Sequence, residues 1–295
     1  MQNIFDEHVV EHLIGVEARG ACLTMETGFE ALRSLGLEDF ADVLWNMPVA
    51  ETPNLSAVLP KMTSDDVTIT WTGAAGHRLL QQSVSFVRSC SENYTTITGQ
   101  SLQDKRILDF GCGYGRFLRL FSFYSNDVQG VDAWELSLGH SREAGFGDRV
   151  RKSDAVPCSL PFDEPFDFLF SFSVFTHLSE ASTVASLAAL RTAAKKGAVL
   201  AITIRPIEFW TVVNEGITHL DASKIDTRRL IEYHKNVGFA YHVQGATEES
   251  LPNEHYGDTS LTLDWLTKNA LGWQLERLDR SLNDRQQRYV FLRAV

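Results

Sequence analysis

The sequence predicts a doubly wound, mostly parallel α/β sheet that closes on an antiparallel C-terminal hairpin, with a helical extension in front. Three observations carry this. An apolar, β-prone run, Ile107-Leu108-Asp109-Phe110, passes through glycines at 111, 113 and 115 into an apolar helical pattern that starts at Phe117. Strand-like and helix-like stretches then alternate, the order of a parallel sheet whose crossovers run over its faces. The chain ends on two strand-like runs, Leu271–Asp279 and Gln287–Val295, joined by a short polar turn.

The bulk composition narrows the classes. With 295 residues, 44% of them hydrophobic, the chain can bury one sizeable α/β core plus an appendage, or two small cores. No apolar run approaches the ~20 residues of a membrane span, and the opening MQNIFDEHVVEH is too acidic and polar for a secretory signal, so a cytoplasmic protein is expected. Cys22, Cys90, Cys112 and Cys158 lie far apart without metal-type spacing, which reads as reduced thiols. A net charge of −11 argues against nucleic acid as a partner.

In chain order, residues 1–69 read as the helical extension. Its apolar spacing is seen at Val9, Val10, Leu13, Ile14, Phe29, Leu32 and Leu35, and it breaks at Gly36, Pro48, Pro53 and Pro60. It serves either as a packing or homo-oligomerisation cap or as a lid over substrate. The main domain is expected over residues 70–295. It opens with a glycine-bearing turn and then a helix that places Leu79, Leu80, Val84 and Val87 on one face.

Beyond the glycine loop, Val128 and Val131 mark a second strand ending at Asp132, where a carboxylate can accept from both hydroxyls of a ribose. Asp154 and Ala155 fall at the end of a third. Phenylalanines at 166, 168, 170 and 172 alternate with other residues as in a central fourth strand. Ser179 and Glu180 then start a helix through Arg191, and Gly197–Arg205 reads as the fifth strand. An insertion is expected at about 206–260, with a helix over Thr227–Val237 and the stretches GFAYHVQ and HYGDTSL.

The segment ILDFGCGYG resembles motif I of the class I S-adenosylmethionine-dependent methyltransferases: two apolar residues, an acid, then three alternating glycines. A dinucleotide fingerprint would instead space its glycines as G-x-G-x-x-G, which disfavours a nicotinamide oxidoreductase. The resemblance implies S-adenosylmethionine as cofactor and S-adenosylhomocysteine as product. The loop would cradle the methionine end, and Asp109 would orient it or meet the amino-acid moiety. Asp132 would hold the ribose and Asp154 the adenine amine. The implied cofactor set is Asp109, Gly111, Cys112, Gly113, Asp132, Ala133, Asp154, Ala155 and Ser171. Trp71, Thr72 and Gln82 would line the site, or Trp71 would be simple core.

The stretches WTGAAG, SVFTHLSE, GFAYHVQ, HYGDTSLTLDWL and DRQQRYVFLR look like bacterial methyltransferases associated with surface glycans or small metabolites. The expected acceptor is therefore a hydroxyl of a sugar, glycan or other small polar molecule, which points to polysaccharide biosynthesis. A protein or RNA methyltransferase and a catalytically silent cofactor-binding scaffold are the alternatives. Enzymes that methylate amines of nucleic-acid bases carry two prolines and an aromatic where this chain has Phe172, Ser173 and Val174, so that class is disfavoured.

No metal is expected; Asp163, Glu164 and Asp167 read as a solvated loop rim. A hydroxyl acceptor calls for a base near neutrality, a role that suits histidine. His177, after the fourth strand, is the first candidate. His255 is the reserve, with Tyr256 and Asp258 beside it and His234 behind.

Overall fold

From residue 107 onward the apolar runs fold as strands and the stretches between them as helices, in a computed structural model that describes residues 4–216, 218, 220–244, 256–282, 284 and 286–295. The N-terminal part is helical: α1 Glu7–Glu17, α2 Met25–Leu32, α3 Leu37–Trp45, α4 Pro53–Val58, α5 Asp65–Thr72 and α6 Gly76–Thr98. Local chemistry sets these starts. Thr24 caps α2 in a reciprocal box with Thr27, and Pro53, lacking an N–H to lose, sits in the first turn of α4.

The remaining elements are β1 Ile107–Phe110, α7 Arg116–Phe121, β2 Val128–Asp132, α8 Glu135–Ser141, β3 Val150–Lys152, β4 Phe166–Ser171, α9 Glu180–Ala193 and β5 Ala194–Ile204, followed by α10 Glu208–Asn214, α11 Thr227–Val237, β6 Phe239–Val243, β7 Gly257–Leu261, α12 Leu263–Asn269, β8 Trp273–Asp279 and β9 Arg288–Ala294. Seven strands form one sheet in the order β3-β2-β1-β4-β5-β9-β8. The first five are parallel, and β9 runs antiparallel to both β5 and β8. The expected doubly wound sheet and its terminal hairpin are both present.

The sheet is buried on both faces, which is why its strands read as near-continuous apolar runs. One layer joins α6 and α7 to the sheet through Phe86, Phe117, Phe121, Phe168 and Phe170; the other joins α9 and α12 through Leu169, Leu187, Leu190 and Trp265. Phe121 stacks on Phe170 at 4.2 Å, and truncating such a fully buried ring costs about 3–5 kcal/mol. A register irregularity between Phe166 and Phe168 puts Phe166 in the second layer although the two are spaced by two. Simple alternation did not foresee it.

Two arginines bind the N-terminal helices to the segment behind the glycine loop. Arg33 donates twice to the Ser122 carbonyl, at 3.0 and 2.9 Å. Arg119, fully buried on α7, donates to the carbonyls of Leu44 and Lys61 at 3.4 and 3.0 Å. The extension is thus fastened to the helix that leaves the loop.

The insertion folds over the carboxyl ends of β4 and β5. Strands β6 and β7 pair antiparallel as a separate ribbon. Along β7, Gly257 N donates to the His177 carbonyl, Thr259 N to Thr176 and Leu261 N to Arg205, at 2.9, 2.8 and 3.3 Å.

Several boundaries differ from the sequence expectation. Helix α5 includes Thr70, Trp71 and Thr72, where a turn was expected, because Gly73 rather than Thr70 ends it; the expected domain boundary at 69/70 falls inside this helix. Strand β4 stops at Ser171, since Ser173 takes a left-handed conformation with φ 60°. Helix α10 was not foreseen.

Candidate active site

The turn from β1 into α7 brings bare backbone to the carboxyl edge of the sheet. Gly111 has φ 82°, and a Cβ there would drive into the Val174 side chain. Gly113 has φ 57°, and its would-be Cβ meets only the Trp71 ring edge, 3.9 Å away. One glycine is required by packing and the other leaves space for a ligand. Trp71 in turn stacks on Trp134 at 4.9 Å, with Tyr114 and His140 against its other sides at 5.9 and 5.4 Å, so it walls the loop rather than sitting in the core.

Asp132 fastens the loop from the end of β2. Its Oδ2 accepts from Gly113 N at 2.9 Å and its Oδ1 from Trp134 N at 2.8 Å. Burial raises its pKa, although those two N–H groups and Ser137 pull the other way. Each oxygen keeps a second lone pair for a hydroxyl.

Beneath the loop lie two ionisable side chains, each with a buried polar atom that has no hydrogen-bond partner. Asp109 is 1% exposed, its Oδ2 has no hydrogen-bond partner, and burial, with Asp132 added, pushes its pKa well above the carboxylate range; Arg116 offsets this only in part. Arg116, 8% exposed at the start of α7, lies 4.4 Å over the Phe117 ring and 5.1 Å over Phe172, and its Nη1 is likewise buried and unpartnered. An unpaired buried charge is costly, so this arrangement suits a ligand carrying both signs.

The other expected cofactor residues divide. Cys112 N, like Gly111 N, donates to the Val131 carbonyl, but the Cys112 side chain packs against Gly130 and burial raises its thiol pKa well above the usual value. Ser171 is fully buried and donates to the Phe110 carbonyl at 2.8 Å, tying β4 to β1 below the loop. Ala133 and Ala155 are half-buried, and Asp154 is exposed two residues beyond β3. Thr72 is turned to the carbonyls of Thr68 and Ala74, and Gln82 donates to Asp284 Oδ2 at 3.0 Å.

A second constellation sits where the insertion crosses β4 and β5. His177 is 9% exposed; its Nδ1 lies 2.7 Å from the Gly257 carbonyl, which can only accept, so the proton is on Nδ1 and Nε2 is the basic nitrogen. Arg205 Nη2 donates to that Nε2 at 3.3 Å, while Arg205 Nη1 donates to Asp258 Oδ1 at 2.5 Å and to the Thr176 carbonyl at 2.9 Å. Burial alone would raise the Asp258 pKa, but Arg205, His177 and Gln244 outweigh it and hold it below the usual value. Tyr256 stacks flat on His177 at 5.0 Å, and burial pushes its pKa up to about 12. His234 is drawn away, with Nδ1 2.8 Å from Ser260 Oγ. His255 lies outside the described residues.

Arg116, Arg205 and Ser173, whose N–H donates to Thr203 Oγ1 at 2.7 Å, escaped the sequence reading. The signal for the arginines was there: each is a charge set at the edge of an apolar run.

Residues 108–202 match a family model described as a methyltransferase domain. No curated protein matches the chain. Among solved structures, an S-adenosylmethionine-dependent methyltransferase from Clostridium acetobutylicum aligns at 12% identity and TM-score 0.50, over 78% of this chain and 96% of that one. A magnesium protoporphyrin IX methyltransferase from Synechocystis, with bound S-adenosylhomocysteine, aligns at 13% and 0.48, over 75% and 90%. A glycopeptide N-methyltransferase complexed with sinefungin aligns at 14% and 0.45, over 68% and 91%. At these identities the likeness is one of fold.

Proposed function

We propose that the chain is an S-adenosylmethionine-dependent methyltransferase, a reading supported by the methyltransferase-domain match over residues 108–202, and that it methylates a hydroxyl of a sugar, glycan or other small polar acceptor. The observation that carries the cofactor assignment is the unpartnered pair under the loop. Asp109 takes the ammonium of the methionine moiety and Arg116 its carboxylate, each gaining the partner it lacks. Asp132 accepts from the ribose hydroxyls, and Asp154, free at the rim, accepts from the adenine amine. Gly111 and Gly113 give the backbone close approach, with Cys112 between them and Ala133 and Ala155 as small neighbours of the rings. Ser171 acts by holding β4 against β1.

When bound, the cofactor supplies a methyl group on a positively charged sulfur. The protein aligns the acceptor and receives one proton. His177 is the proposed base: Gly257 fixes its tautomer, so Nε2 is the basic nitrogen, and it takes the acceptor's proton once the hydroxyl replaces the long 3.3 Å contact from Arg205. Arg205 beside it favours the developing negative oxygen, and Asp258 balances Arg205.

Calorimetry with S-adenosylhomocysteine, methylthioadenosine and NAD tests the cofactor site. Binding of the first without the last is expected, and NAD binding in its place overturns the reading. Turnover on hydroxyl-bearing acceptors tests the acceptor class; transfer only to amines or to protein contradicts it.

A further inference from the structure

A groove of about 470 Å³ opens beside the insertion, lined by Glu180 at the start of α9, by Asp226, Arg229 and Tyr233 of α11 and its cap, and by Tyr241 and His242 of β6. Its chemistry is mixed. Tyr233 presents a ring that is 48% exposed, with the Arg229 guanidinium 5.5 Å over it. Among the described residues Arg229 forms no ion pair. Asp226 Oδ1 accepts from Arg229 N at 3.1 Å and Glu180 Oε1 from Trp265 Nε1 at 3.0 Å, so each carboxylate is held in place with its second oxygen open.

Such a surface discriminates among ligands. A purely apolar ligand would strand the two carboxylates and the guanidinium without water, and a polyanion would face two carboxylates against one cation. A saccharide fits both halves: its C–H face lies on an aromatic ring, and its neighbouring hydroxyls match planar side chains that bond at two points. The groove is built on the same elements as the His177 constellation. Glu180 follows His177 by three residues, and Tyr241 and His242 pair across the ribbon with Thr259 and Asp258 of β7.

We propose that this groove binds neutral sugar units of the acceptor, adjacent to the unit whose hydroxyl is methylated. This rests on the glycan reading of the acceptor given above. The groove sets acceptor length and identity while the loop of β1 holds the cofactor.

Saturation-transfer NMR on the full chain, with a fixed panel of neutral oligosaccharides built from hexose, deoxyhexose and N-acetylhexosamine units, is the test. At least one member should bind. Tyr233→Ala and Arg229→Ala should each weaken it about tenfold or more, Tyr233→Phe should retain it, and S-adenosylhomocysteine affinity should be unchanged in all three. Asp132→Ala should show the reverse, losing the nucleoside and keeping the saccharide. No binding by any panel member, or binding by Tyr233→Ala equal to that of the parent, overturns the groove. Failure of the parent to bind S-adenosylhomocysteine overturns the cofactor reading instead, and the saccharide signal is scored independently of it.

Discussion

The acid Asp109 and the guanidinium of Arg116 lie on the same side of the sheet, both more than nine-tenths buried, and neither hydrogen-bonds the other or any described neighbour through its buried orphan atom. They attract each other across the floor of the loop without closing into an ion pair. A site held open in this way is organised for a ligand at the expense of the unliganded fold.

That cost gives a pH signature. The Asp109 pKa is raised in the fold, so the folded state holds its proton over a range where the unfolded chain has lost it. Stability of the unliganded protein should therefore fall as pH rises from the ordinary carboxylate range through the raised value. Asp109→Asn should flatten this slope and stabilise the unliganded protein at neutral pH, while weakening S-adenosylhomocysteine by about 1.5–3 kcal/mol. Thermal melts across pH with and without ligand measure both; an unchanged slope contradicts the assignment.

Arg116→Gln should weaken S-adenosylhomocysteine by about 10- to 100-fold, the worth of a charge-assisted bond. Methylthioadenosine, which lacks the amino-acid group, should bind the variant and the parent alike. Equal losses for both ligands would place Arg116 elsewhere than at the carboxylate.

Asp132→Ala removes the acceptor for the ribose and also the anchor of Gly113 N and Trp134 N. Affinity for methylthioadenosine and S-adenosylhomocysteine should fall together, by on the order of 1.5–3 kcal/mol per charge-assisted bond lost. Unaltered affinity for either sinks the ribose assignment.

Arg205→Met leaves Asp258 buried without its cation, and loss of one partner of a buried pair costs about 3–5 kcal/mol. Because the folded pKa of Asp258 is depressed, its contribution is present above the unfolded carboxylate pKa and is lost as pH falls through the folded value. Denaturant melts should show the variant less sensitive to acid than the parent. Equal acid sensitivity would mean that the pair adds nothing.

His177→Ala should lower turnover by about 10²–10⁴-fold, with S-adenosylhomocysteine affinity intact. The readout is single-turnover transfer across pH. Near-normal transfer by the variant moves the base elsewhere.

Period-two and period-3.6 patterns, together with the glycines at 111 and 113, placed the strands, the helices that alternate with them, the terminal hairpin and Asp132 at a strand end, because each depends on near neighbours in the chain; the strand order came only with the tertiary structure. The helix over Thr227–Val237 was legible for the same reason. Only the tertiary structure decided which polar groups find partners. Nothing local says that Asp109 and Arg116 stay unsatisfied, that Ser171 and Cys112 turn inward, or that His177 meets Gly257 and Arg205 across wide gaps in sequence. The His177 contacts follow from the ribbon of β6 and β7 crossing the ends of β4 and β5, and the others from the packing of β1, β2, β4 and α7, long-range arrangements that residue spacing does not encode.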